Sequence, residues 1–481
     1  MSNNRFYRNQ RYITKRIIVR GALILDTPTC LSSGDADGLV DLMLLRDSFE
    51  EDKALLPGAS IAGALRNYLR EYRGGYLSHE DSILFGGRKS DPDGDQSPLI
   101  VHDALSSQAV GVESRDGIQI NNKRRTAEDK AKYDLELIQA GTQFDLCFEL
   151  LIDKYNDQGQ LADEARLVRE LAISLEGLEL GAIGIGMKKR RGFGRCHIEQ
   201  WQVWQFDMTQ PSERLAWLTF DRPWATHTKQ PDVGKILDIL KPENLESDQR
   251  ERFTIHALFS LNGSLLIRSG QATTERAPDV VHLKSKQAHS TDAVPVLSGT
   301  SLAGVLRHRA ERIVNTLGKD TDLIEKLFGN ADRESKQASR LVVYETKIQN
   351  GHDLVQNRIA IDRFTGGAYH GALFDEQPVF GGDQTLVTLQ LELRLPQNHE
   401  IGLLLLLLKD LWTEDLPVGG ESSIGRGRLQ GKSAVITRYV SGSEREWTIV
   451  QNDEQLQVSN PTSLEKFVEA LTNYTTRESA A

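Results

Sequence analysis

The sequence predicts an α+β protein built from two tandem ferredoxin-like (RRM-like) domains, and three observations carry that expectation. The string LLPGASIAGALR at 55–66 returns as VLSGTSLAGVLR at 296–307; from Leu56 to Arg66, seven of eleven positions match Leu297 to Arg307, 241 residues further on. Other landmarks recur in the same order. ILFGG at 83–87 answers KLFGN at 326–330 at an offset of 243, KYDLE at 132–136 answers LFDEQ at 373–377 at 241, and RGFGR at 191–195 answers IGRGR at 424–428 at 233. Landmarks that keep their order while the offset drifts by a few residues mark a duplicated domain with loops of changed length. Each copy also reads strand, helix, strand, helix, strand, which fits a ferredoxin-like unit better than the regular alternation of a Rossmann sheet.

In the first copy YITKRIIVRGALILD alternates as an opening strand, followed by a loop with SSGDADG. LPGASIAGALRNYLREY reads as a turn feeding a helix. Pro57 and Gly58 break structure, Ser60 caps the orphan amides of the next turn, and Ile61, Ala64, Leu65 and Leu69 share one face. Gly63 inside that helix costs about 1 kcal/mol relative to alanine, so its return as Gly304 points to close approach by another backbone. Residues 74 to about 131 read as a hairpin-like insertion with exposed loops. FDLCFELLI is a second strand, LADEARLVRELAISLEGL an amphipathic helix and CHIEQWQVWQF a closing strand. The second copy follows through TIHALFSLNGSLLI, APDVVHLKS, the repeated turn and helix, LVVYETKI, LVTLQLELRL, EIGLLLLLLKDLW and GRGRLQGKSAVI. The expected domains are 1–206 and 251–435. Residues 207–250 form a connector in which LAWLTF adds a strand, and 436–481 are an appended strand and short helix with a frayed TTRESAA end.

The 481 residues suit two domains, each large enough for its own core, and 39% hydrophobic with 26% charged residues describes a soluble globular chain. The polar, basic start MSNNRFYRNQRYITKR lacks the apolar stretch of a secretory signal, and IGLLLLLLK at 401–409 is too short to span a membrane and reads as a buried helix. Cys30, Cys147 and Cys196 have neither CxxC spacing nor even pairing, which excludes a disulfide framework and a zinc ribbon and makes the cytoplasm the expected compartment. A net charge of −10 argues against a freestanding nucleic-acid binder but leaves room for local basic surfaces in one subunit of an assembly.

One such surface is GIGMKKRRGFGR at 184–195, which sets Lys188, Lys189, Arg190, Arg191 and Arg195 among four glycines. Glycines let main-chain amides approach an anion, and the cations neutralise phosphate charge. Read without context, the run is also compatible with a solvated turn. It is no dinucleotide site, because the order here is helix, loop, strand. Gly184-Ile185-Gly186, five residues rich in Lys and Arg, then Gly192-Phe193-Gly194, resembles the glycine-rich loop of the RAMP superfamily of CRISPR-associated RNA-binding proteins. VGGESSIGRGR at 418–428 has the looser form of that loop, LPGASIAGALR resembles the PGSSxKGxxR segment of the backbone subunits, and NRIAIDRFTGGAYHGALFDEQPVFGGD at 357–383 resembles the segment closing their insertion.

The resemblance implies two fused backbone domains, an arrangement associated with a type III-D variant effector complex. The implied partners are a guide crRNA, a single-stranded target RNA, other RAMP subunits and the large subunit of the complex. By the same resemblance Ser60, Arg66, Lys188, Lys189, Arg190, Arg191 and Arg195 in the first copy, and Ser301, Arg307, Arg426 and Arg428 in the second, hold RNA, while each insertion acts as a thumb between guide and target. A helix N-terminus offers free amides and a positive dipole end to phosphate.

Cleaving members carry an aspartate before the PGSS helix in a pattern like DSPVIRD. DLMLLRD at 41–47 fits at Asp41, Arg46 and Asp47, with Asp35 and Asp37 as alternatives, and Asp279 in APDVVHLKS is the second-copy equivalent, although Ser285 replaces the second aspartate. The implied reaction is target-RNA cleavage, with Asp41 and Asp279 holding Mg²⁺ or another divalent metal beside a kinked linkage whose 2′-hydroxyl lines up with its own phosphate. His102, His282, His289 and His308 lack ligand-spaced partners and read as ordinary surface or core residues. Arg363 in IDRFTGG is either an anion site or the turn that ends the insertion. Two rivals stand beside cleavage: a silent guide-binding scaffold, and a stand-alone guide-processing ribonuclease with a histidine-centred, metal-independent site.

Overall fold

Both copies build an antiparallel sheet with the strand order of a ferredoxin-like fold. The computed structural model describes residues 12–32, 34, 42–80, 82–87, 96–121, 127–155, 161–220, 229–269, 278–288, 290, 292–330, 337–382, 384–440, 442–452 and 455–475. The first domain contributes β1 (Ile13–Leu25), α1 (Gly58–Gly74), β2 (Leu99–Val101), β3 (Gln143–Asp153), α2 (Glu164–Glu179) and β4 (Cys196–Asp207). Its strands lie in the order β2-β3-β1-β4. The second contributes β5 (Arg252–Asn262), α3 (Gly299–Thr316), β6 (Leu341–Val343), β7 (Leu386–Arg394), α4 (Asn398–Trp412) and β8 (Arg428–Val440), in the equivalent order β6-β7-β5-β8.

Alternation drives both cores. Ile17, Val19, Leu23 and Leu25 of β1 face the helices, where they meet Leu65 and Leu69 of α1 and Leu171 and Leu175 of α2. Phe253, Ile255, Ala257 and Phe259 of β5 do the same against Leu302 and Leu306 of α3 and the leucine run of α4. Each fully buried leucine contributes roughly 2 kcal/mol, so every repeated apolar position serves the same packing station in both halves. Ile401, Leu403, Leu404, Leu407, Leu408 and Leu411 are buried, as expected for the apolar run. Among the described residues no helix is long and apolar enough to cross a membrane.

Three local expectations are corrected. Ser60 is not a cap: α1 begins at Gly58 after Pro57, and its first amide is held by Asp103 Oδ1 at 2.6 Å, whereas Ser298 caps α3 by accepting from the Ser301 amide. A Cβ placed on Gly63 or Gly304 would meet nothing within 4 Å, so among the described residues no other backbone approaches them. LAWLTF forms no strand, because Pro211 starts a helix, Pro211–Leu218, whose Trp217 lies under Arg16 against the outer face of the first sheet with Ile18, Trp204 and Phe206. The connector also adds an edge strand, Asp232–Gly234, and buries Ile236 in the first core. Beyond β8 the extension supplies two strands, Ser443–Asn452 and Gln455–Val458, and a helix, Pro461–Thr472, packed on α4. The TTRESAA end beyond Thr475 lies outside the described residues.

Each domain raises one long hairpin from this frame: Val112–Ile120 with Ala127–Ile138 in the first, and Gln356–Ile361 with Ala368–Gln377 in the second. Asp362 Oδ1 accepts from the Phe364 amide at 2.7 Å, so IDRFTGG is the turn at the hairpin tip, with Phe364 99% exposed.

Candidate nucleic-acid interface

The two glycine-rich loops share one backbone. Ile185 donates to Gly194 O at 2.8 Å and Val418 to Gly427 O at 2.9 Å; the Gly194 amide goes to Pro28 O and the Gly427 amide to Ser264 O. A Cβ on Gly194 would overlap the Ile185 carbonyl and one on Gly427 the Val418 carbonyl, and both glycines have φ in the left-handed region. These glycines therefore close the loop on itself, and these amides are not offered to an anion. The tip between them is a single tight turn, Lys189–Arg191 in one copy and Ser422–Ile424 in the other, entered through left-handed Lys188 and Glu421.

The geometry repeats and the charge does not. In the first loop Lys188 Nζ sits 3.8 Å from the Tyr133 ring centre on the hairpin, Lys189 is exposed, and Arg195 stacks on Tyr344 of the second domain at 4.9 Å. Burial and then Arg394 push the Arg190 guanidinium below its usual range. Arg191 is drawn down to about 10 by burial and then by Arg307 and Arg190. The Arg191 guanidinium itself is engaged in the second domain, donating to Phe328 O at 3.1 Å and to Ser339 Oγ and Leu341 O at 3.3 Å. It clamps the two domains together.

Arg426 is likewise internal, 3% exposed, and pairs with Glu376 at 2.9 Å and Glu421 at 3.1 Å. Phe193 occupies its place in the first copy, packed on Leu135, the hairpin residue that corresponds to Glu376. An apolar pair in one domain has become an ion pair in the other. Arg428 donates to Glu414 O. Arg66 and Arg307 perform one structural task twice: Arg66 donates to Gly86 O at 3.3 Å and Arg307 to Gly329 O at 2.9 Å, the same glycine of the ILFGG and KLFGN landmarks. Ser60 is exposed and Ser301 half-buried at the starts of their helices.

Asp41, Asp35 and Asp37 lie outside the described residues. The residue after Asp41, Leu42, pairs in parallel with Leu135 of the first hairpin, and the residue after Asp279, Val280, pairs in parallel with Glu376 of the second. Asp279 is exposed at the hairpin root, and its Oδ2 accepts from the Asp375 amide at 3.0 Å. Asp47, offered by the same motif, spends its carboxylate on the Phe49 and Glu50 amides at 2.9 Å, which lower its pKa. Among the described residues no group of three His, Cys, Asp or Glu side chains could hold a metal. A divalent ion at Asp279 would take further ligands from phosphate and water. His282 is buried and neutral, with Nδ1 accepting from the Ile267 amide at 3.2 Å and Nε2 donating to Val296 O at 3.1 Å; burial pulls its pKa down to about 4. The three cysteines are free, and burial pushes the Cys196 thiol up to about 12.

Sequence reasoning missed the joint between the domains. Arg115, on the first hairpin, donates to both carboxylate oxygens of Glu345 at 3.0 and 3.2 Å, and to Glu113 at 3.3 Å. Glu113 in turn accepts from the Lys286 amide at 2.7 Å and from Ser285 Oγ at 3.1 Å. Arg394, Glu71, Tyr76 and Glu392 continue the seam beside Lys189 and Arg190. A buried Glu-x-Arg inside an otherwise polar hairpin was the available signal.

No curated protein matches the chain. The sequence model of the RAMP superfamily matches residues 24–197 and again 259–430, two matches that coincide with the two folded copies. Together they cover well over half of the sequence, and the chain belongs to the RAMP superfamily, as two fused copies of its domain.

Proposed function

We propose that the chain is a backbone subunit of a type III CRISPR effector, of the III-D variant kind, which binds guide crRNA and cuts complementary target RNA with a divalent metal. The observation that carries this reading is the matched setting of Leu42 and Val280, the residues that follow the two candidate aspartates. Each is laid in parallel against the outgoing strand of its domain's hairpin. A target strand bent over either hairpin would pass an acidic side chain at the same station twice. Lys188, Lys189, Arg190 and Arg195 supply the positive charge for the guide backbone, while Arg66, Arg191, Arg307, Arg426 and Arg428 hold the loops and helices in place. In the reaction the ribose 2′-hydroxyl gives up its proton and attacks its own phosphate. The P–O5′ bond breaks and the 5′-oxygen leaves to take a proton, giving a 2′,3′-cyclic phosphate and a 5′-hydroxyl. The hairpin's contribution is to hold that bent geometry. A metal would supply charge stabilisation at the phosphate oxygens.

The scaffold reading draws on the bond from the Asp375 amide to Asp279, which is what a purely structural aspartate would make. The guide-processing reading draws no support from His282, whose two ring nitrogens are both taken by the main chain. Mapping cuts in a bound complementary RNA, with and without divalent metal, tests the proposal. Two metal-dependent cuts are expected, whereas intact target in the assembled complex leaves the scaffold, and cutting of repeat RNA by the lone chain in EDTA leaves the processing enzyme.

A further inference from the structure

Between each glycine-rich loop and its hairpin lies a cation, and the two copies supply it from opposite sides. Lys188, Lys189, Arg190 and Arg191 of the first loop stand where the second has Glu421, Ser422, Ser423 and Ile424. The entry residues Lys188 and Glu421 share the left-handed conformation, so lysine and glutamate leave the same point of the same turn. Lys188 reaches out to the first hairpin, where its Nζ lies over the Tyr133 ring. In the second copy the cations reach towards the loop instead. Arg268, on the short strand Arg268–Ser269, donates to Glu421 Oε1 at 3.2 Å. Arg358, on the second hairpin, pairs with Glu376 Oε2 at 2.8 Å and has Nη2 3.6 Å from Glu421 Oε2. The first copy carries neither arginine. Ser32, opposite Leu44, holds the place of Arg268, opposite His282; Gly117, opposite Tyr133, holds that of Arg358, opposite Phe374.

The net charge survives all of these exchanges. Arg426 and Glu376 cancel where the first copy packs Phe193 on Leu135. Arg268 and Arg358 against Glu421 then leave one positive charge, the same surplus that Lys188 supplies alone. Packing has no use for that surplus, since burying the Arg426–Glu376 pair costs desolvation that an apolar contact avoids. A cation kept in one place while its source moves from loop to strand and hairpin is what an anion common to both copies requires.

We infer that Arg268 and Arg358 form a phosphate site for a polynucleotide backbone on the second domain, in the place that Lys188 holds on the first, and that the second glycine-rich loop does not itself grip RNA. The Arg268 side chain is 61% exposed and that of Arg358 31%, so both guanidinium groups keep N–H donors for a phosphate after meeting their carboxylates. Glu421 steadies the pair and weakens the site. Two equivalent cation stations in one chain call for equal anions repeated along one ligand, which a polynucleotide backbone provides and an acidic protein segment does not. This deepens the function proposed above and rests on the chain binding guide RNA.

Binding of a single-stranded RNA to the full-length chain, followed by fluorescence anisotropy across a salt series, tests the site. Arg268→Gln with Arg358→Gln is expected to weaken binding and to flatten the dependence of log affinity on log salt by about 0.7, the share of one phosphate on a single strand. Lys188→Gln should do the same on the first domain, and the three together should flatten it by about 1.4. Glu421→Gln raises the surplus charge and is expected to tighten binding, the opposite of what loss of a structural ion pair would do. Arg268→Gln alone changes one exposed side chain and reads the same direction if the double variant misfolds. Unchanged affinity and slope in the arginine variants, or a Glu421→Gln chain that binds no tighter, would overturn the inference. So would a polyglutamate peptide that binds wild type but not Arg268→Gln while RNA binding is untouched. Loss with Lys188→Gln but not with Arg268→Gln removes this site and leaves the guide-binding reading standing, whereas a chain that binds no RNA ends both.

Discussion

Replacing Arg115 by alanine removes the central charge of the domain joint. Its side chain is 6% exposed, Glu345 is 3% and Glu113 8%, so the change leaves two carboxylates without their cation in a site that water scarcely reaches. Removing one member of a buried, hydrogen-bonded pair costs about 3–5 kcal/mol, because the remaining charge is desolvated and uncompensated. Against a typical domain stability of about 5–15 kcal/mol that is enough to uncouple docking from folding. Urea unfolding followed by tryptophan emission reads both halves, since Trp201, Trp204 and Trp217 pack on the first sheet and Trp412 and Trp447 lie in the second core. Wild type is expected to unfold in one transition and Arg115→Ala in two. Arg115→Lys should fall between them, because an ammonium cannot reproduce the paired bonds of the guanidinium to Glu345. A single transition displaced by less than about 1 kcal/mol would refute the claim that this charge cluster holds the domains together.

The remaining predictions follow from single residues. His282 is held neutral with a folded pKa near 4, below its unfolded value of about 6.5, so the unfolded chain binds the extra proton first. Stability should fall as pH drops from about 6.5 towards 4, by on the order of 3 kcal/mol, and the slope in that window should shrink in His282→Gln; equal slopes by denaturant titration would contradict it. Gly194→Ala should cost more than about 2 kcal/mol, since the new carbon overlaps the Ile185 carbonyl at a left-handed φ, whereas Gly63→Ala should stabilise the isolated chain by up to about 1 kcal/mol; thermal melts in which the two shift alike would count against the loop geometry. Removing Lys189 and Arg190 together should weaken guide binding and flatten its dependence on log salt by about 0.7 for each phosphate no longer neutralised, and an unchanged slope would take the junction out of the RNA path.

The duplication was legible because packing demands the same side chains at the same stations: Leu65 and Leu306 fill equivalent cores, and Arg66 and Arg307 hold equivalent carbonyls. Strand alternation in β1 and β5 and the leucine run of α4 disclosed the rest of the frame for the same reason. What lay hidden was the destination of each charge. Arg191 reads as a surface cation until the second domain is brought against it, since its partners are main-chain carbonyls, which no residue type announces. Arg426 could have been placed from the sequence: the landmark alignment sets it opposite Phe193, and a charge at an apolar station calls for a buried counterion, which Glu376 supplies opposite Leu135. LAWLTF misled because its apolar spacing suits a strand, while Pro211 at the first helical position was the stronger signal.

The most direct measurement is the cut pattern on a complementary RNA bound to the assembled complex when one aspartate at a time is neutralised. If two matched stations work in one chain, Asp41→Asn erases one cut and Asp279→Asn the other, with the surviving cut unmoved and target binding retained. Loss of both cuts in either variant, or no loss in either, would contradict it.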